Sequence, residues 1–591
     1  MASAKTYCVN ASGCDVSSGS DLQAALDTAA ANPGEDTVKV GDGTVSRAGG
    51  FSYNSPDPVH LEGNGGRFSG PAKRAALSDA ASNPSSDTTL TVLGSGESTI
   101  SGIDVSIAGG TGSANNGIDT NGAVDNVVVH PANTAAPSDF ATGVRLHAGA
   151  SLTNSDVLLS LVSTSFALLA NGGAVISDVR FQAFIGVQAQ NSAGTVAIRR
   201  ARIEASAAGV DVTGTASVDD SLIVNRVEAG YSMTALDAAS LGPSASLVAN
   251  HTTLIAPAGS SASGGTALTA NNISSGTATL TFRNGVVSGF GSRLFRRATG
   301  TGPADVITDY SDYAPGTSTD TGPGSITETN HVNVSPGFVS STDYHLRADS
   351  PLVDAGELPG LAAGEPSVDL DGQPRITDGD GDGNCRARRD IGAYEFQPGP
   401  RAPNVVASAG PPSPAHTGER VAFSAFACDP DGDALTYSWT FDDGSSTSGM
   451  LITVLRSFAT QGYHFGRIRV TDSTGRTTTD AASVFVELPF RGLTIAQQKV
   501  RASKRGKVTL KVSCPRTTIG TCSGTLQLGG GSAAFVVAAG SAKNVVVKLS
   551  KAKLTSLRGR KQLKLTATAA SRDAFSNQKA TSGKVTVLAP R

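Results

Sequence analysis

From Gly143 the chain reads GVRLHAGASLTNSDVLLSLVST (143–164), SFALLANGGAVISDVRFQAFI (165–185), GVQAQNSAGTVAIRRARIEASAA (186–208) and GVDVTGTASVDDSLIVNRVEA (209–229). The openings lie 22, 21 and 23 residues apart, a further 21 brings GYSMTA at Gly230, and GTALTA returns at Gly265 after a longer insertion. A repeat of about 20–23 residues with Gly at the corners and short alternating runs between is the signature of a β-solenoid. Leucine-rich repeats share the period but need a Leu/Asn consensus that is missing here. A single coil cannot bury its apolar face, so coils stack at ~4.8 Å and share one core. Alternation along the first strand of each coil places Val144, Leu146, Phe166, Leu168, Val187, Ala189, Val210 and Val212 inward. By the same count Arg145, His147, Ala167, Leu169, Gln188, Gln190, Asp211 and Thr213 point outward.

Upstream, Ser20 followed by Gln23 reads as a capping box for a short helix with Leu22, Ala25, Leu26 and Ala29 as its apolar stripe. Such a helix plugs the open end of a solenoid, whose strand edges would otherwise be bare. Residues 5 to 330 resemble the right-handed parallel β-helix, or pectate-lyase-like, superfamily. Downstream, SPLVDAG (Ser350–Gly356) and DIGAYE (Asp390–Glu395) resemble the terminal region of secreted bacterial β-helix proteins of the choice-of-anchor Q type, which implies an extracellular or surface location. The expected fold is all-β, a right-handed parallel β-helix solenoid (1–330, closed by a terminal region at 331–397) followed by two β-sandwich domains.

A Pro-rich linker at 398–403 leads into CDPDGDALTYSWTFDDGS, which with GYHFGRIRVTDSTG is similar to a PKD-type sandwich at 404–488. Tyr437, Trp439, Phe441, Asp443 and Gly444 carry that likeness, and the chain's single Trp reads as a packing residue. From Pro489, runs such as KVTLKVSC and KNVVVKLS predict an Ig-like sandwich at 489–591. The formal charge of −3 conceals a division: residues 489–591 hold twenty Lys and Arg against the single acid Asp573, a net +19, and residues 1–488 hold 27 basic and 49 acidic residues, a net −22. A segment of +19 seeks a polyanion, here a polysaccharide or anionic cell-wall polymer. No aromatic-rich strand or basic helix with interleaved Phe or Tyr suggests nucleic acid as a partner.

Cys8 with Cys14 and Cys514 with Cys522 are closely spaced, no CxxC occurs, and no His lies near either pair, so disulfides rather than zinc are expected. Cys385 and Cys428 then read as an interdomain bridge or as two separate buried thiols. With only 3 Met and no run of 18 apolar residues, the chain reads as exported, without a membrane span. No GxSxG, HExxH, GxGxxG or P-loop is present, which removes serine esterase, zinc peptidase, dinucleotide and NTP chemistries.

Two constellations remain. In DGDGDGN, Asp378, Asp380 and Asp382 with Asn384 set hard oxygen ligands on alternate residues, which suits calcium. Arg389 stands where an EF-hand loop needs its bidentate Glu, leaving Asp390 as the nearest substitute; Asp429, Asp431 and Asp433 form a weaker copy. On the solenoid, alignment of the second strands stacks Ser155, Ser177, Arg200 and Asp220 in one column, with His251 and Asn284 as continuations. Arg200 and Arg202 beside Asp219 and Asp220 could neutralise an acidic sugar and abstract its proton, as a polysaccharide lyase requires. Asp211 with Asp219 or Asp220 could serve an inverting glycoside hydrolase. The same residues also read as an ordinary salt bridge between coils. Two functions follow, a secreted surface protein that binds polysaccharide or wall polymer, and a lyase or hydrolase acting on an extracellular glycan. With one Trp, at position 439, and no Lys between Lys73 and Lys499, aromatic and Lys-bearing sugar subsites are scarce, which favours the first.

Overall fold

The computed structural model of the protein describes residues 3–67, 74–80, 87–108, 114–132, 140–161, 164–190, 193–226, 234–258, 265–314, 319–358, 365–380, 385–410 and 415–591. The chain folds as two compact units, Met1–Pro400 and Arg401–Arg591.

In the first unit the described strands form a thirty-stranded parallel stack in which strands bond to their equivalents on neighbouring coils. Three apolar columns run through it. Leu90, Ile118, Val144, Leu168, Val187, Val210, Leu236, Leu268 and Leu294 stand in register on the first. Ile100, Val124, Leu152, Ile176, Ile198 and Val218 make the second, and Val105, Val129, Val157, Phe181, Ile203, Ile223, Leu254 and Val287 the third. All of these belong to one buried core, so the first unit is a parallel β-helix whose interior is filled with side chains.

One stretch of the alternation is corrected. Gly143 is opposite Ala167, not Ser165, because Val144 pairs with Leu168. At this position consecutive residues are buried, Ala167 with Leu168 and Ala235 with Leu236, so an inward–outward count begun at Ser165 slips out of phase. Ala167 is inside, Phe166 is half-buried on the outer face, and Leu169 is covered as well. The position must be small: a Cβ on Gly143 would stand 2.1 Å from Val157 Cγ1, and one on Gly209 would stand 2.4 Å from Ile223 Cγ2. Repeat openings Gly143, Gly186 and Gly209 therefore share a steric cause, and Ala replaces Gly on intervening coils.

The helix Leu22–Ala31 buries Leu22, Ala25, Leu26 and Ala29 against the first coils. Its N-cap is Asp21 rather than Ser20: Asp21 Oδ1 accepts from the Ala24 N–H at 3.0 Å, and Gln23 turns instead to Ser52 and Asp27. The described residues between 331 and 397 form loops and isolated bridges that pack on the flank of the stack, with Leu370, Ala393 and Tyr394 on Leu222 and Ile255, and Leu346, Leu352 and Ile391 on Val286.

The second unit holds two sandwiches, each a three-stranded sheet over a five-stranded one, antiparallel except for a parallel edge strand in each larger sheet, Ala415–His416 and Gln498–Arg501. Trp439, Phe423, Phe441 and Phe458 fill the core of the first, which bears out Trp439 as a packing residue. The second has its own core around Leu510, Val547, Leu526 and Val587 and carries an unexpected helix, Lys551–Arg560.

Candidate functional site

One residue per coil turns the chain in the left-handed conformation: Asn126, Asn154, Asp178, Arg200, Asp220, His251, Asn284, Tyr310 and Asn330 all have φ between 45° and 59°. Asn and Asp reach this region more easily than other side-chain-bearing residues, so the corner is written in the sequence chiefly as Asn or Asp. The expected stack of Arg200, Asp220, His251 and Asn284 is thus the corner column. Ser155 lies one residue after it, and Ser177 one before, in register with Arg199, which in turn pairs with Asp219.

These side chains do not gather around one open cleft. Arg200 is paired with Asp178 of the preceding coil by two hydrogen bonds of 2.7 and 2.5 Å, not with Asp220. Arg202 points to the terminal region, where its guanidinium is 2.6 Å from Asp371. Asp220 and His251 have no exposed surface. Over them lies residue Arg375, also fully buried, which donates to Asp220 and to the carbonyls of Gly392 and Ala393, and stands 3.6 Å from Glu395. Next to it Glu365 Oε1 receives both His251 Nε2, at 3.0 Å, and Arg389, at 3.1 Å.

The terminal motifs brace themselves in the same seam. Asp390 accepts the N–H groups of Asp354 and Phe396 at 2.8 and 2.6 Å, and Glu395 accepts those of Asp390 and Thr377. Ser350 Oγ bonds the Pro336 carbonyl at 2.7 Å. Carboxyl groups outnumber guanidinium groups here, and burial acts on them accordingly. It pushes Asp220 up to about 6 despite Arg375, and together with the Asp220 charge it pushes Asp219 up to about 7. Asp390 and Glu395 are likewise raised by burial, while burial, reinforced by Arg375, holds the His251 imidazole well below its usual range and hence neutral. A glycan cannot touch Asp220 or His251 in this arrangement, so their chemistry is that of a sealed ionic joint.

Sequence reasoning missed Arg375, Arg389 and Glu365 because they meet the column across 155 residues in the case of Arg375 and Asp220, and 114 in that of Glu365 and His251. No local motif announces such a pairing.

Of the expected calcium ligands, Asp382 and Asn384 lie outside the described residues. Asp378 and Asp380 join Asp354, with one ligand oxygen from each within 4.8 Å of the others. Asp390 is not among them, being turned to the N–H groups of Asp354 and Phe396; Asp354 stands in its place. Asp354 Oδ2 accepts the N–H groups of Gly379 and Asp380, both at 2.7 Å, which draws the acidic loop around it. Asp429, Asp431 and Asp433 form the second such cluster. Cys8–Cys14 and Cys514–Cys522 are disulfides, Cys385 and Cys428 are disulfide-bonded as well, and no cysteine is free.

The C-terminal sandwich presents the opposite electrostatics. Residues 489–591 are all described, and none of their twenty Lys and Arg side chains takes part in an ion pair. The single acid, Asp573, is occupied by the N–H groups of Phe575 and Asn577, each at 2.9 Å. Lys507 is directly opposite Lys548 on antiparallel strands, and Lys551 and Lys553 occupy the first turn of the helix that follows. Like charges across a ladder and cations at a helix N-terminus are both unfavourable.

No sequence among curated proteins matches the chain. Among solved structures, it is similar to a carbohydrate-binding module of the β-sandwich superfamily (16% identity over 26% of this chain and 87% of that one, TM-score 0.15) and to the fibronectin(III)-like modules of Clostridium thermocellum CbhA (14%, 31% and 94%, TM-score 0.18). It is also similar to a bacterial ice-binding adhesin (14%, 32% and 66%, TM-score 0.20). Residues 401–486, the sandwich built around Trp439, match the PKD domain family, and this part of the chain is a PKD domain.

Proposed function

We propose that the protein is an extracellular modular surface protein that docks onto an anionic polysaccharide or wall polymer through its C-terminal sandwich, with the β-helix as a rigid body. The observation that carries this reading is the set of twenty cations without one ion pair, including Lys507 facing Lys548. A fold gains nothing by setting like charges opposite each other, whereas a polyanion laid over them converts the repulsion into attraction. The disulfides and the PKD domain suit an oxidising, extracellular setting. No helix among the described residues is long and apolar enough to cross a membrane.

The reading includes a calcium ion at Asp354, Asp378 and Asp380, whose hard oxygens suit it and whose mutual repulsion it would relieve. The lyase or hydrolase reading is weaker, since Asp220 and His251 are sealed and Arg200 is committed to Asp178. The test is retention of the full chain on anionic and neutral polymers across a salt series. Retention on anionic polymer alone, lost at high ionic strength and weakened in Lys507→Gln with Lys548→Gln, is expected. Salt-independent binding, or release of sugar ends from a glycan panel that Arg202→Ala abolishes, would overturn it.

A further inference from the structure

The three-stranded sheet of the PKD domain, built from Asn404–Gly410, Arg420–Cys428 and Thr453–Ser457, is apolar on both faces. Val421, Phe423 and Ala425 point into the sandwich core. On the outer face Val406 stands directly opposite Phe426, and Leu455 opposite Ala422. The crossover into the third strand brings Ile452 alongside, its carbonyl accepting the Ala425 N–H at 2.9 Å, with Met450 and Leu451 just before it. These large apolar side chains are bare: Val406 is 66% exposed, Phe426 68% and Met450 84%.

Charge is kept from the middle of that face. Lys, Arg, Asp and Glu occur on the three strands only as Arg420, which begins its strand, and Arg456, whose guanidinium lies 4.5 Å over the Phe441 ring. Between the apolar pairs, Ser424 and Thr453 satisfy each other's hydroxyls at 3.1 Å. At ~150–200 Å² for a fully exposed residue, Val406, Phe426, Met450, Leu451, Ile452 and Leu455 leave on the order of 700 Å² uncovered. That exceeds the roughly 300–600 Å² of the largest apolar patch on an ordinary monomer, and it is close to the ~800 Å² per partner of a specific interface. A sheet that is apolar on both sides is built to be covered on both. Its centre offers no cation to an anionic polymer, and a flat sheet encloses no small ligand, whereas sheet packs on sheet at ~10 Å. A second copy supplies a face of the same chemistry and area, and two-fold symmetry lays each on the other.

We propose that the outer face of this sheet is a homodimer interface, in which Val406, Phe426, Leu455 and the crossover at 450–452 of one copy pack against the same residues of the other. A dimer presents two basic sandwiches to a polymer at once, which raises retention by avidity, but the interface itself does not depend on that docking. The test is sedimentation velocity on the full chain across a concentration series at low and high salt. A species of twice 59.5 kDa is expected at micromolar concentration, and it should persist at high ionic strength because apolar burial is not screened. Phe426→Asp sets unpaired charge in a dry interface and should weaken dimerisation about tenfold or more, without moving the melting temperature of the dilute monomer. Met450→Asp, in the crossover, provides a second variant if Phe426→Asp disturbs folding. Phe465→Ser, which removes an exposed ring from the other sheet of the same domain, should leave the dimer unchanged. A chain that stays monomeric at every concentration, a dimer lost at high salt, unchanged dimerisation in both face variants, or equal weakening by Phe465→Ser would each overturn the proposal. So would capture of monomers by phosphatidylcholine vesicles that Phe426→Asp abolishes, which would make the face a lipid-binding one.

Discussion

Arg375 and Lys507 belong to regions that treat charge in contrary ways. Arg375 is fully buried between the β-helix flank and the terminal loops, with Asp220, Glu395 and two carbonyls around it. Lys507 is exposed, faces another lysine, and belongs to a domain without one ion pair. Both regions are dense in ionisable groups, so density alone says nothing about role. Enclosure and pairing separate them: charge consumed inside the molecule builds architecture, and charge left unanswered at the surface is available to a partner.

Four measurements bear on that contrast, taken here from the largest expected effect to the smallest. Arg375→Met should cost the first unit about 3–5 kcal/mol in denaturant unfolding, because it strands Asp220 in a dry site. A cost under about 1 kcal/mol would mean that the seam does not hold the terminal loops. A chelator should lower the melting temperature of calcium-loaded protein, since ligand at a hundredfold its dissociation constant contributes about 2.7 kcal/mol. An unchanged melting temperature, in both the parent and Asp354→Asn, would remove the ion from Asp354, Asp378 and Asp380.

The third measurement is pH. Asp219, raised to about 7, and Asp220, raised to about 6, bind protons more tightly folded than unfolded, as do Asp390 and Glu395. Their stabilisation is complete below an ordinary carboxylate pKa of about 4 and is lost as the pH rises through about 7. His251 works against them, since its depressed pKa favours the folded state only above the normal imidazole range, but it is one group against four. The first unit should therefore lose stability between pH 5 and pH 8, read as a falling midpoint of denaturant unfolding. A flat profile there would show that the seam is more hydrated than its geometry indicates. Lastly, Lys507→Gln with Lys548→Gln should leave stability level or raise it by about 0.2–1 kcal/mol while weakening retention on anionic polymer. Destabilisation would place those lysines with Arg375 as structural groups.

What the sequence disclosed followed the range of the interactions involved. The coil repeat was legible because a Cβ at Gly143, Gly186 or Gly209 meets a branched side chain of the same stack, and that constraint recurs once per turn. It misled at Ser165 because Ala167 meets the same constraint with a methyl group, so the Gly marker vanished. The corner column was legible for Arg200, Asp220 and His251 by alignment, but their partners were not: Arg202 meets Asp371 across 169 residues. The acidic loop was recognised, yet Asp354 was overlooked because it comes from SPLVDAG, 24 residues before Asp378, and Asp390 was chosen for its spacing alone. The +19 segment needed no structure to be seen; its lack of ion pairs did.

The corner column has a bearing on how such a chain changes over generations. Successive corners are separated by 20 residues between Arg200 and Asp220 but by 33 between His251 and Asn284, and the ladder continues in register across both intervals. Insertions and deletions are thus absorbed in the loops between strands while the bends stay aligned. Each loop is a place where new sequence can be tried without renegotiating the core, and a flank such as the one bearing Arg202 can acquire or discard neighbours at little cost to folding.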